Sequence, residues 1–214
     1  MQRSGIGLFG GTFDPIHLGH LRLACALRDE LRLSKVYLIP AGQPYHKTAL
    51  PVASAAQRLA MVKLAIQGEP LLFTDDRDAV KQTPTYTVET LSTIRQEVGS
   101  KEVLWYLMGM DAFRQLTLWK DWKILLTLTN IAVALRDKHH AKLPTQLDLL
   151  WQARQSDVFS HQVAGRLYCL HLPPKAIASR DLREQLMCGK HDQTLVPQAV
   201  LDYMTREAIY YQPA

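Results

Sequence analysis

Short apolar runs alternate with amphipathic helical periods along most of the chain. Ile6-Gly7-Leu8-Phe9 reads as a buried strand. Leu23, Leu27 and Leu31 then recur at i+4 spacing, which predicts a helix from about His20 to Leu33. Val36 to Ile39 is a second strand, stopped by Pro40. Ser54 and Gln57 form a capping-box pattern ahead of a helix carrying Leu59, Val62 and Ile66. Leu71-Leu72-Phe73 is a short strand. Val88, Leu91, Ile94 and Val98 mark a third helix, closed by Gly99. Val103 to Met108 and Ile131 to Leu135 are further strands.

This β-α-β-α order predicts an α/β fold, a doubly wound parallel sheet with helices on both faces. Such sheets bind ligands beyond the carboxyl ends of their strands, so chemistry is expected just after each strand. The second half is less regular. Helices are expected from about Thr145 to Gln155, Ser179 to Cys188 and Pro197 to Arg206, giving a helical C-terminal section, with a strand in Gly165 to Leu172. Asp137 to Ser160 is the segment expected as a variable insertion. No internal repeat interrupts residues 1–214, which are read as a single domain.

Composition narrows the classes. The chain has 214 residues, 47% of them hydrophobic and 21% charged, enough to bury a full core, which excludes global disorder. The formal charge of +5 and pI near 9.1 suit an anionic ligand. No Lys/Arg run forms a nucleic-acid footprint, so neither a nucleic-acid nor a membrane partner is expected. Cys25, Cys169 and Cys188 are odd in number and far apart, with no CxxC spacing. That argues against a disulfide framework and for a reducing, cytoplasmic setting. Cys25 and Cys169, in apolar surroundings, are read as buried small hydrophobes. The longest apolar stretch, Ile124 to Leu135, falls short of the ~20 residues of a spanning helix.

Gly5, Gly7 and Gly10 spell GxGxxG, but a dinucleotide fingerprint needs a strand upstream, and only Met1 to Ser4 precede it. The glycines lie within the strand, so a Rossmann cofactor site is not expected. No Walker pattern occurs.

GGTFDPIHLGH, Gly10 to His20, follows the first strand directly. Gly10-Gly11 lets the backbone approach a ligand, and Asp14-Pro15 makes a rigid turn. His17 and His20 arrive where a helix N-terminus presents free N–H groups to phosphate. Three residues apart, their imidazoles share one face, and Gly19 between them leaves flat space against the backbone. Taken alone, the pair also admits half of a metal site or two capping histidines. No third ligand stands at convincing spacing, and the glycine turn favours phosphate binding.

GTFDPIHLGH resembles the signature of the HxGH-motif nucleotidyltransferases. IPAGQPYHK (Ile39 to Lys47), PTYTVETL (Pro84 to Leu91) and GMDAF with a later Leu118-Trp119 resemble the bacterial nicotinate-mononucleotide adenylyltransferase family, and IASRDLR (Ile177 to Arg183) resembles the superfamily's second phosphate motif. The resemblance covers nearly the whole chain, with its motifs in order.

It implies a Rossmann-like nucleotidyltransferase fold. The implied reaction is adenylyl transfer from ATP to nicotinic acid mononucleotide, giving nicotinic acid adenine dinucleotide and pyrophosphate in NAD biosynthesis. It implies that His17, His20 and Arg183 stabilise the transition state, and that the Gly10, Gly11, Thr12 and Phe13 turn, His46, Lys47 and Ser179 meet nucleotide phosphates. Gly109 and Asp111 follow a strand, where a carboxylate can accept from ribose hydroxyls or cap a helix. Tyr86 and Thr87 start a helix whose N–H groups suit a pyridine carboxylate, and by resemblance Trp119 stacks on the pyridine ring. Trp122 is left to packing.

The attacking substrate phosphate is already deprotonated at neutral pH, so no protein nucleophile is required. Mg2+ is expected to be held mainly by substrate phosphates. The chain departs from the family pattern at Tyr45, where a proline is usual, at Arg180, where a threonine is usual, and at Arg136-Asp137 in place of Arg-Pro. Other readings remain: a phosphopantetheine adenylyltransferase, or a non-catalytic nucleotide-binding module. The expected assembly is a monomer or small homo-oligomer.

Overall fold

The main sheet grows outward in both directions from the first strand. The structure is a computed structural model and describes residues 3–44, 50–135, 143–156, 162–170, 177–190 and 192–210. In chain order β1 (Ile6–Gly11), α1 (Leu18–Glu30), β2 (Lys35–Pro40), β3 (Gln43–Pro44), α2 (Ala55–Ala65) and β4 (Leu72–Thr74) build one half. Then come β5 (Pro84–Thr85), α3 (Thr87–Val98), β6 (Leu104–Gly109), α4 (Met110–Arg114), a 3-10 turn at Leu116–Leu118, α5 (Trp122–Leu128) and β7 (Asn130–Ala134). α6 (Thr145–Arg154), β8 (Leu167–Leu170), α7 (Ser179–Met187) and α8 (Gln198–Arg206) complete the described elements.

The main sheet runs β4-β2-β1-β6-β7-β8, and every pairing is parallel. β3 and β5 pair separately, also in parallel. This is the doubly wound arrangement the alternating pattern predicts. Successive residues of a strand point to opposite faces, and the core divides accordingly. Trp105, Leu107 and Ala132 face one layer with Ala24 and Leu27 of α1, Met61 and Val62 of α2, Leu182 of α7 and Val200 of α8. Tyr106, Met108, Ile131 and Val133 face the other, with Val88, Leu91 and Ile94 of α3, Phe113, Leu125, Leu147 and Trp151. Of the helical C-terminal section, α7 and α8 therefore cover the α1/α2 face and α6 the other.

Several expected details shift. α1 starts at Leu18 rather than His20, because His17 occupies the cap. α2 has the expected Ser54–Gln57 capping box, but its buried face is Arg58, Met61, Val62 and Ala65, not Leu59 and Ile66. The apolar stretch Ile124 to Leu135 divides into the rest of α5 and β7, where the chain passes from helix to sheet. Within the segment read as an insertion, α6 puts Leu147 and Trp151 into the core. Cys169 is buried as expected, but Cys25 is only half-buried, with Sγ 3.6 Å from Glu69 Oε2. Burial, then the Glu69 charge, push its thiol up to about 11, which keeps it protonated and inert. Among the described residues no helix is long and apolar enough to cross a membrane.

Candidate active site

From β1 the chain winds one way through β2 and β4, then returns to place β6 on β1's other edge. The two connections part above the carboxyl ends of β1 and β6, and a switch point of this kind leaves a crevice. A cleft of about 200 Å³ lies there, lined by Gly10, Gly11, Thr12, Asp78, Thr85, Thr87, Tyr106, Gly109 and Trp119, among others. Two glycines end β1 because nothing larger fits. A Cβ on Gly10 would stand 2.5 Å from the Tyr106 hydroxyl, and one on Gly11 would stand 2.7 Å from the Phe13 ring. Phe13 itself holds φ 50, a left-handed conformation that a bulky residue keeps only under tight packing. Its buried ring packs edge-on against Phe9 at 5.3 Å and His20 at 5.1 Å.

At the start of α1 the two histidines cap each other. His17 Nδ1 accepts from the His20 backbone N–H and His20 Nδ1 accepts from the His17 N–H, both at 3.3 Å. Their rings stack at 3.7 Å. With each Nδ1 an acceptor, the hydrogen-bond pattern puts the proton of the neutral rings on Nε2, so both are donors at that atom. The capping and phosphate readings are thus compatible, since capping uses Nδ1 and a phosphate would be met at Nε2. Gly19 does not leave the expected open flat space. Its Cβ direction is filled by the His17 ring, 2.9 Å away, so glycine is needed for the stack itself.

Beneath this turn lies a polar cluster that the sequence reading missed, having treated Asp14 only as a turn former. Asp14 is buried. Its carboxylate accepts from the N–H groups of Val52 (2.9 Å) and Ala53 (3.0 Å) and from the Tyr210 hydroxyl (2.6 Å). Arg183 donates to the Asp14 carbonyl at 2.6 Å and lies 3.5 Å from its carboxylate. Arg58, also buried, donates to the carbonyls of Thr12 (2.7 Å), Gly42 (2.8 Å) and Ala53 (3.2 Å). Its signal was present in the sequence, as a cation spaced i+3, i+4 and i+7 from Met61, Val62 and Ala65. Ser179 is the first residue of α7, after Ala178 at the cap, and its hydroxyl donates to the Pro15 carbonyl at 3.1 Å. Ser179 and Arg183 thus both attach α7 to the histidine turn. Arg180 faces solvent and pairs with Glu184 at 3.2 Å.

The opposite wall is the start of α3. Tyr86 occupies the cap position without a side-chain cap bond, and Thr87 is the first helical residue. Asp78, buried at the wall, accepts from the Thr90 hydroxyl at 2.9 Å and pairs with Lys81 at 3.3 Å. Trp119 stands at the end of the 3-10 turn and lines the cleft. Gly109 caps α4 and also lines the cleft, but Asp111 is exposed, 3.8 Å from Arg114, and is not among the lining residues. His46, Lys47 and Arg136, with Tyr45 and Asp137, lie outside the described residues.

Burial pushes the Tyr106 hydroxyl up to about 12, against the lowering effect of its hydrogen bond to Thr87. Burial, and then Asp14 beside it, push Tyr210 up as well. A phenol raised in the folded state leaves stability level below the ordinary value of 10.0 and erodes it as pH rises from there through about 12. Absorbance at 295 nm should show a late ionisation step that coincides with falling denaturant midpoints. Ionisation that is complete near pH 10.0, with no late step, would contradict this.

Comparison with known proteins places the chain in a family. The cytidylyltransferase-like family profile matches residues 8–184. A Chromobacterium violaceum protein named "Probable nicotinate-nucleotide adenylyltransferase" is 47% identical over 207 residues, covering 96% of this chain and 98% of the relative. A Laribacter hongkongensis protein of the same name is 44% identical over 212 residues, covering 98% and 96%. Among solved structures, the nicotinic acid mononucleotide adenylyltransferase of Plasmodium falciparum complexed with NaAD superposes with a TM-score of 0.75 at 16% identity, over 97% of this chain and 98% of that one. That likeness establishes the fold, and the two bacterial relatives establish the kinship. The chain belongs to the cytidylyltransferase-like family, among its nicotinate-nucleotide adenylyltransferases.

Proposed function

We propose that the protein transfers AMP from ATP to nicotinic acid mononucleotide, a step of NAD biosynthesis carried out within one domain spanning residues 1–214. The observation that carries the reading is the stacked His17–His20 pair at the N-terminus of α1, directly beyond the strand end that lines the cleft. A phosphate oxygen of the mononucleotide attacks the α-phosphorus of ATP. The bond from that phosphorus to the bridging oxygen breaks, and pyrophosphate leaves with the electron pair. No proton need be taken from the nucleophile. The protein's task is positioning and charge stabilisation. His17 and His20 donate from Nε2 to phosphoryl oxygens as charge accumulates, aided by the positive end of α1. Arg183, anchored on Asp14, adds a fixed cation next to the same turn, and Ser179 sets the approach of α7.

Magnesium is assigned to the triphosphate. Among the described residues no three His, Cys, Asp or Glu side chains gather, and Asp14 and Asp78 are taken up by hydrogen bonds. Bound there, the ion would neutralise phosphate charge. The N–H groups starting α3 suit the pyridine carboxylate, and Trp119 suits its ring. His46 and Lys47 stay in the proposal as further phosphate contacts, and Arg136 as a further substrate contact, on the family resemblance alone. A reducing, cytoplasmic location rests on the odd number and wide spacing of the three cysteines.

The test is pyrophosphate release with ATP and Mg2+, offered nicotinic acid mononucleotide, its amide, or phosphopantetheine. Preference for the acid is expected. Release only with phosphopantetheine, or ATP binding without turnover of any acceptor, would overturn the reading.

A further inference from the structure

The start of α3 carries a feature that opposes the role just given to it. Glu89 lies in its first turn, within about 5 Å of axial rise from the N-terminus. A carboxylate there stabilises the helix but repels an anion arriving at the same N–H groups. Lys120 answers that charge from another element. Its Nζ lies 2.7 Å from Glu89 Oε1 and 4.4 Å from the centre of the Tyr86 ring, an ammonium over an aromatic face. Glu89 makes the ammonium hold its proton more tightly. Lys120 is also the peptide neighbour of Trp119, which lines the cleft. Trp119 is held on both sides by short-range backbone bonds, its N–H donating to Leu116 and its carbonyl accepting from Trp122. One side chain thus ties the turn bearing Trp119 to the cap residue of α3 and cancels the acid in that helix's first turn.

We propose that Lys120 is a positioning residue that sets the preference for an acid over an amide acceptor, by neutralising Glu89 in the first turn of α3. The inference rests on the acceptor reading above. Charge cancellation helps an anionic acceptor and does nothing for a neutral amide, so the two substrates separate electrostatics from folding. Because the pair is exposed, with 45% and 47% of the two side chains open to solvent, the effect is a tuning of affinity rather than a condition for catalysis.

The experiment compares wild type with Lys120→Met, Lys120→Arg and the double variant Lys120→Met/Glu89→Gln, using pyrophosphate release and thermal melting. For Lys120→Met the KM for nicotinic acid mononucleotide should rise about fivefold, with the KM for ATP, the melting temperature and use of the amide nearly unchanged. Lys120→Arg should retain most of the acid preference. Adding Glu89→Gln should recover most of what Lys120→Met loses, because the repulsive charge is then gone. An unchanged acid KM in Lys120→Met, or an equal rise for acid, amide and ATP, would overturn the proposal while leaving the enzyme reading intact. Wild type that never uses the acid would overturn both.

Discussion

Replacing His20 by alanine should lower kcat by ~100- to 1000-fold, the usual cost of removing one donor, ~3–4 kcal/mol, from a transition state of this kind. The expectation follows from the stacked pair, in which each Nδ1 is committed to its neighbour's backbone and each Nε2 is the donor atom. Alanine also removes half of the capping box, so a modest stability loss of about 1 kcal/mol should accompany it. His17→Asn separates the two effects. Asparagine is a good cap acceptor but does not extend a donor to the same place. That variant should melt near wild type and still lose most of its rate. The double variant should cost little more than either single one, because the rings act as a unit. Steady-state pyrophosphate release with the melting curve checks this. A His17→Asn enzyme with near-native kcat would mean that the pair only caps the helix.

Asp14→Ala is expected to produce the largest stability loss, about 3–5 kcal/mol, because it removes the acceptor from a buried, hydrogen-bonded charge cluster. Two backbone N–H groups, the Tyr210 hydroxyl and Arg183 would all lose a partner. For a chain of this size the melting temperature should fall by roughly 10 °C. Tyr210→Phe removes a single hydrogen bond and should cost only about 1 kcal/mol. The cluster joins the turn after β1, the segment before α2, α7 and the residues after α8, which are far apart in the chain. The Asp14→Ala loss should therefore appear as one cooperative shift in denaturant midpoint and not as a separate early transition. A melting temperature within a degree or two of wild type would show that Asp14 carries no such weight.

Much of the architecture was legible because sheet and helix impose different periods on apolar residues. The strands Ile6 to Phe9, Val36 to Ile39 and Val103 to Met108 declared themselves as short runs, and α3 by its Val88, Leu91, Ile94 spacing. The phosphate end was legible for a related reason. A glycine turn, two histidines and a helix start are contiguous, so their geometry is local and travels with the sequence. The cluster under that turn was not. Asp14 meets Val52, Ala53, Arg183 and Tyr210 only after α2, α7 and the end of α8 pack on the same face of the sheet, and no local pattern records such a meeting. Gly19 shows the same limit at short range, since its role came from the position of the His17 ring and not from any need for open space. Trp119 could be singled out in the sequence by resemblance, but its place in the cleft with Thr87 depends on where the turn before α5 falls against α3. Local chemistry and element type were thus set by the chain's own order, through backbone periods and contiguous motifs. The pairing of distant polar groups and the shape of the cleft were set by the packed fold, because burial acts on neighbours in space regardless of their separation along the chain.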